Sequence, residues 1–434
     1  MKIVVFGLWH LGSVTAACLA ELGHSVVGYD ESEEFVRTLQ LGVSPVSEPG
    51  LNELLSQNLS EGRLKFVSQL DSESPYDVLW VTIDTPVDES DRGQVQFVTN
   101  QITRAIMDAP QDCRVIISSQ LPAGTTKKIR STLKKHLIQK SISICYSPEN
   151  LRLGSAIKVF RDPDRIVVGV DSENDRKLVE PLFASITDRI EWMSTVSAEM
   201  TKHAINAFLA ISVVFANEIA TIAEFEGANA NDIARGLRSD ARIGPKAYVL
   251  PGDSFAGGTL ARDIRYLEDK SQTNAHPLAL ISSVLPSNDA HANWAQHKIN
   301  QLIGDVKGKT VTICGLAYKV GTNTLRRSSA VSLGDWLLGN GAILRVIDNE
   351  DVPMPSQWDG RVSRLKSVND SLKDSDVFVV GAGFVLQDTN IDFNHLSRGN
   401  SPLLVLDAGR RWPSLELIEN VEYVFVGKER NPNE

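Results

Sequence analysis

The sequence is poor in cysteine, and its few thiols form no chemical pattern. Cys18, Cys113, Cys145 and Cys314 lie far apart in apolar or strand-like surroundings, with no C-x-x-C pair. They read as reduced core residues, which excludes a disulfide framework and a thiolate metal site. Eight scattered histidines show no ligand spacing, so no metal is expected. The chain also lacks any long run of Lys and Arg. Acidic residues outnumber basic ones, 54 to 44, for a net charge of −10, and a nucleic-acid partner is not expected. The longest apolar run, AFLAISVVFA, is too short to cross a bilayer, and an apolar strand beginning at Lys2 leaves no room for a secretory leader. A soluble, cytoplasmic protein with no membrane partner is the expectation.

What is present points to repeated α/β units. At 434 residues, with 42% hydrophobic and 23% charged content, the chain is an ordinary globular composition long enough for two or three domains. KIVVFGL is a β-branched run ending in Gly, SVTAACLAELG is helical with Gly23 as its C-cap, and HSVVGYD is a strand ending in Asp30. Further strands are expected at DVLWVTI, CRVIISS, ISICYS and RIVVGV, which gives a mostly parallel, doubly wound sheet. From residue 196, SAEMTKHAINAFLAISVVFANEIATIAEFEG keeps helical apolar spacing with no Pro or internal Gly. It predicts one helix of about eight turns, a natural spine and dimer surface. After helical material to Ile303 the opening pattern returns: GKTVTICGLAYKVG, a helix around SLGDWLLGNGA, and ILRVID ending in Asp348. The expected architecture is α/β, two Rossmann-like doubly wound domains joined by a long central helix, with boundaries at 1–195, 196–303 and 304–434.

The first loop departs from the dinucleotide-binding pattern G-x-G-x-x-G. It reads Gly7, Leu8, Trp9, His10, Leu11, Gly12. Gly7 suits the tight turn and Gly12 the close packing of helix on strand, but Trp9 stands where a second glycine lets a diphosphate approach the backbone. Either the phosphates move outward or the indole turns aside. Asp30 is placed after the second strand as a carboxylate that accepts from the adenosine ribose hydroxyls and repels a 2′-phosphate, which favours NAD over NADP. Taken alone, the same residues also describe a bare strand-to-helix turn with Asp30 as a cap.

Longer motifs carry a family resemblance. LGVSPVSEPGL, SPENLRLGSA, DPDRIVVGV, SAEMTKHAINAFLA, DARIGPK and GLAYKVGTNTLRRS follow in order. The chain resembles the UDP-glucose/GDP-mannose dehydrogenase family from about residue 1 to 350, and more loosely to its end. The resemblance implies an NAD-dependent enzyme that oxidises the C6 alcohol of a nucleotide sugar, most readily a UDP-sugar, to a carboxylate in two hydride transfers. It implies an N-terminal domain for NAD, a C-terminal domain for the nucleotide, a homodimer through the long helix, and chemistry in the cleft between domains. It assigns the reacting oxygen and a water to Lys202 and Asn206, base or water activation to Glu149, and support to Asp263. Lys202 and Asn206 are spaced i, i+4, one face of a helix. On the cofactor side it implies Gly7, Trp9, His10, Leu11, Gly12, Asp30, Thr85 in IDTP (with Asp84 where Gly is usual) and Arg326. On the substrate side it implies Lys319, Arg242 reaching across the dimer, Tyr248 and Gly257.

The departures cluster. The family nucleophile is a Cys in a segment like F-G-G-S-C-F-P-K-D, and this chain has FAGGTLARD from Phe255 to Asp263. Anchored on Asp263 without a gap, Thr259 takes the Cys position; shifted to match the glycines, Leu260 does. Neither is a thiol, and an unassisted hydroxyl is a weak nucleophile near neutrality. Gln120 stands for a water-positioning Thr, Leu153 for a second Glu, and Gly381 to Phe384 for a more polar turn. The expected function is therefore an NAD-dependent oxidoreductase on a nucleotide sugar without a thioester intermediate. The alternative is a catalytically silent nucleotide-sugar binder or scaffold.

Overall fold

The computed structural model describes residues 1–71, 74–86, 88, 92–372, 375–384 and 402–428. They form two compact units, Met1–Ile205 and Asn206–Glu434. Residues 385–401, past the GAGF turn, fall outside the described residues.

The first unit is built on strands β1 (Lys2–Phe6), β2 (Ser25–Tyr29), β3 (Leu64–Val67), β4 (Val78–Val81), β5 (Arg114–Ile117), β6 (Ser143–Tyr146), β7 (Ile166–Gly169) and β8 (Ile190–Met193). Their order is β3-β2-β1-β4-β5-β6-β7-β8. Pairing is parallel except where Tyr146 meets Gly169 in antiparallel register. The apolar runs exist because the sheet is covered on both faces. Ile3 and Val5 pack into one core cluster with Val78 and Trp80, while Val4 and Phe6 pack into the other with Leu79 and Val81. The strands β3 and β8 have no such run and were not legible: each lies at a sheet edge and exposes a charged residue, Lys65 and Glu191.

The second unit repeats the winding. Strands β9 (Thr310–Cys314), β10 (Ile343–Ile347), β11 (Ser363–Leu365), β12 (Val377–Val380), β13 (Leu403–Leu406) and β14 (Val421–Val424) are ordered β11-β10-β9-β12-β13-β14, all parallel. The repeat extends to the loop after the first strand. Gly7 (φ +95°) and Gly315 (φ +89°) both turn left-handed, and the next residue's N–H reaches the aspartate after the second strand, Leu8 to Asp30 at 2.7 Å and Leu316 to Asp348 at 2.5 Å. In both sheets the order reverses beside this loop, where open α/β sheets place their ligand crevice.

A single helix of 32 residues, Thr195–Glu226, runs on from the first unit into the second. It is longer in its apolar character than the ten-residue run implied, and by length and composition alone could cross a membrane. Its buried residues include Glu199, Lys202, His203, Asn206, Asn217 and Glu224, a set that a lipid-embedded helix would leave costly and unanswered. It is a core helix with a polar inner face.

Candidate active site

The opening loop is tightly determined by its backbone. Gly7 donates to the Tyr29 carbonyl at 2.9 Å, and Thr82 donates its hydroxyl to the Gly7 carbonyl at 2.7 Å. A Cβ on Gly12 would lie 1.7 Å from the Gly7 carbonyl oxygen, so only glycine lets the helix His10–Glu21 approach the end of β1 this closely. Among the described residues no side chain at Trp9 caps that helix, which leaves its first N–H groups open to an anion. Leu11 is half-buried in the first turn. His10 is tied by Nε2 to Glu48 at 3.0 Å, and Glu48 in turn accepts from the N–H groups of Gly154 and Ala156 at 2.8 Å. Asp30 accepts from Leu8 and Ser32. The Trp9 indole packs on Phe35, ring centroids 5.5 Å apart.

Farther along the first unit, Lys202 is only 8% exposed. Its ammonium donates to the Glu149 carbonyl at 2.9 Å and pairs with the Glu149 carboxylate at 3.0 Å. The other carboxylate oxygen of Glu149 accepts from the Leu151 N–H at 2.9 Å. The buried cation is thus paired with a local counter-charge, Glu149. Two neighbours on the same helical face were missed at the sequence level. Glu199 accepts from Gly124 N–H at 2.5 Å, Thr126 N–H at 2.8 Å and the Thr126 hydroxyl at 2.7 Å, and so caps the helix Thr125–Thr132, which has no capping side chain at Gly124. His203 donates Nε2–H to the Leu121 carbonyl at 3.0 Å. Thr85 donates its hydroxyl to the Gln120 carbonyl at 2.7 Å. The loop bearing Gln120 is therefore clamped at both flanks. The spacing of Glu199, Lys202, His203 and Asn206, i, i+3, i+4, i+7, was the signal available to find it.

In the second unit Asn206 donates its side-chain amide to Asp263, and both are buried. Asp263 lies one turn past Thr259, the exposed first residue of the helix Thr259–Thr273. Gly257, at φ +73°, donates to the Arg326 carbonyl at 3.0 Å, and a Cβ there would press on the Tyr318 ring at 3.0 Å. Lys319 lies over that same ring, 5.6 Å from its centroid. The GAGF turn packs back onto this loop: a Cβ on Gly383 would meet the Ala317 carbonyl oxygen at 2.6 Å. Arg242 and Tyr248 are exposed, and Arg242 pairs with Asp240 at 2.6 Å. No thiol is nearby in the sequence, and all four cysteines are free and buried. Burial pushes the Cys18 and Cys113 thiols up to about 12 and those of Cys145 and Cys314 upward as well.

Residues 1–187 match the NAD binding domain of the UDP-glucose/GDP-mannose dehydrogenase family, and residues 196–290 match its central domain. The UDP-glucose 6-dehydrogenase YwqF of Bacillus subtilis is 32% identical over 350 residues, 80% of this chain and 79% of that one. The chain belongs to this family. A second relative, the UDP-glucose 6-dehydrogenase TuaD of the same organism, is 31% identical over 87% of this chain and 83% of its own length. A UDP-glucose dehydrogenase from the archaeon Pyrobaculum islandicum superimposes with a TM-score of 0.83 at 26% identity, covering 99% of this chain and 98% of that one. The cofactor of this dehydrogenase-family chain is NAD. Its first unit fits that group: a left-handed Gly7, a Gly12 with no room for a Cβ, an uncapped helix N-terminus and Asp30 at the end of β2.

Proposed function

We propose that this family member is an NAD-dependent oxidoreductase acting on a UDP-sugar, and that it removes a hydride from a sugar carbinol without forming a thioester. The observation that carries the reading is the buried Lys202–Glu149 pair. An ammonium fixed in a dry position stabilises a developing alkoxide, and the adjoining carboxylate accepts the proton that the hydroxyl releases. NAD, when bound, accepts the hydride. Within the second unit, Asn206 and Asp263 form another buried polar pair. Thr259 is assigned no nucleophilic role, because an exposed, unactivated hydroxyl is a weak nucleophile. No other cysteine supplies the missing thiol, since all four are buried with raised pKa values. The names of the relatives above support UDP-glucose as the first substrate to test.

Purified protein given NAD and a panel of UDP-sugars is expected to form NADH at a rate unchanged by prior treatment with iodoacetamide. Sensitivity to alkylation would restore a thiol mechanism. Retained UDP-sugar binding with no NADH from any sugar would favour the silent binder instead.

The same reading includes a homodimer through the long helix. Phe208, Phe215 and Ile222 are exposed at seven-residue intervals, with Phe225 one turn on, and Phe208 and Phe225 are 68% and 67% exposed. A stripe of this kind at heptad spacing suits a helix–helix contact between two copies. Sedimentation equilibrium is expected to give twice the chain mass, and a monomer at micromolar concentration would remove the dimer from the proposal.

A further inference from the structure

We infer that Trp9 and Phe35 form an aromatic platform for the adenine base of the cofactor, so that base stacking replaces the grip on the diphosphate that a glycine at position 9 would give. The inference rests on the assignment of NAD to the first unit.

Trp9 is the residue of the loop that breaks the glycine pattern, and it is 42% exposed. Its ring is not left loose. The centroids of Trp9 and Phe35 are 5.5 Å apart with 32° between the ring planes, within the range in which aromatic pairs attract. Both partners are set by hydrogen bonds that run through Asp30. The Leu8 N–H, adjacent to Trp9, donates to one carboxylate oxygen at 2.7 Å, and the Ser32 N–H donates to the other at 2.9 Å. Ser32 is the N-cap of the helix Glu33–Gln40, and its hydroxyl accepts from the Phe35 N–H at 3.3 Å. One carboxylate therefore fixes the loop that holds the indole and the cap that holds the phenyl ring.

The order of groups in a dinucleotide places the base here. A diphosphate sits at the open end of the helix His10–Glu21, and the ribose sits against the carboxylate that follows the second strand. The base, attached to that ribose on the side away from the diphosphate, lies beyond Asp30, where the helix bearing Phe35 begins. An indole turned toward Phe35 is turned toward the base. Every purine has a π-face, so stacking needs no further polar recognition.

Two readings of Trp9 give opposite results when glycine is restored. If the indole only obstructs the diphosphate, Trp9→Gly binds NAD more tightly. If it is a platform, Trp9→Gly binds NAD and AMP more weakly, by roughly 5- to 150-fold, the range of a single base–aromatic stack. Trp9→Phe, which keeps a ring, is expected to stay within about threefold of the parent chain, smaller than the loss of a stack. Nicotinamide mononucleotide, which has no adenine, is expected to bind the parent and Trp9→Gly equally. Isothermal titration of NAD, AMP and nicotinamide mononucleotide against the three proteins reads all of this, with ligand-free melting temperatures to establish that each is folded. Should Trp9→Gly fail to fold, Phe35→Leu takes its place and is expected to weaken AMP in the same direction. Equal or tighter AMP binding by Trp9→Gly or Phe35→Leu, with NAD still bound by the parent chain, overturns the platform alone. No binding of NAD by the parent chain overturns the platform and the cofactor assignment together.

Discussion

Replacement of Lys202 by methionine is expected to lower the rate of NADH formation by roughly 100- to 1,000-fold, the scale of losing one preorganised electrostatic contact to a reacting oxygen. Methionine keeps an unbranched apolar stem of similar reach and removes only the ammonium. The effect is large because the charge is buried and held from two sides, by the Glu149 carbonyl at 2.9 Å and its carboxylate at 3.0 Å. In such a position the stabilisation of a developing alkoxide is not diluted by water. The side chain of Glu149 stays 26% exposed, so its orphaned carboxylate retains some solvation and the variant is expected to fold. NAD affinity should change by less than about threefold, because an interaction made only in the transition state does not alter ground-state binding. A fall in rate of less than about tenfold, measured at saturating UDP-sugar, would remove Lys202 from the reacting oxygen.

The second large effect concerns stability. Glu199→Ala is expected to destabilise the first unit by about 2–4 kcal/mol, since it leaves the N–H groups of half-buried Gly124 and buried Thr126 without their acceptor. Glu199→Gln keeps a carbonyl oxygen in place and should cost less. The two variants also separate charge from geometry. Burial raises the Glu199 carboxyl above its ordinary value, and the hydrogen bonds from Thr126 and Gly124 oppose but do not cancel that shift. The folded protein therefore binds this proton more strongly than the unfolded chain. The contribution of Glu199 to stability is fully present below the ordinary carboxylate range and declines as pH rises through the raised value. Denaturant unfolding from about pH 4 to about pH 8 should show that decline in the parent chain and a flatter profile in Glu199→Gln. An identical slope in both would place the titrating group elsewhere.

The clamp made by Glu199 also shows why parts of the site were hidden. Its partners, Gly124 and Thr126, are far away in the chain, and nothing local to either segment announces the contact. Lys202 and Asn206 were legible because they lie in a contiguous motif that resembles the family's, whereas Glu199 and His203, one helical turn away on the same face, belong to no such assignment. The edge strands Leu64–Val67 and Ile190–Met193 were hidden for a different reason. A strand covered on one face only lacks the continuous apolar run that marked Lys2–Phe6.

The sequence by itself determined the doubly wound repeat, the long helix and the family, because apolar periodicity and ordered motifs are written in neighbouring residues. It also determined that no cysteine stands in the segment from Phe255 to Asp263. Only the tertiary structure decided that the Trp9 indole lies on Phe35, that Glu149 is the partner of Lys202, and that a glutamate from the long helix caps Thr125–Thr132. Each of these depends on where distant side chains meet after the sheet has wound, and a side chain's direction is set by the packing around it rather than by its sequence neighbours.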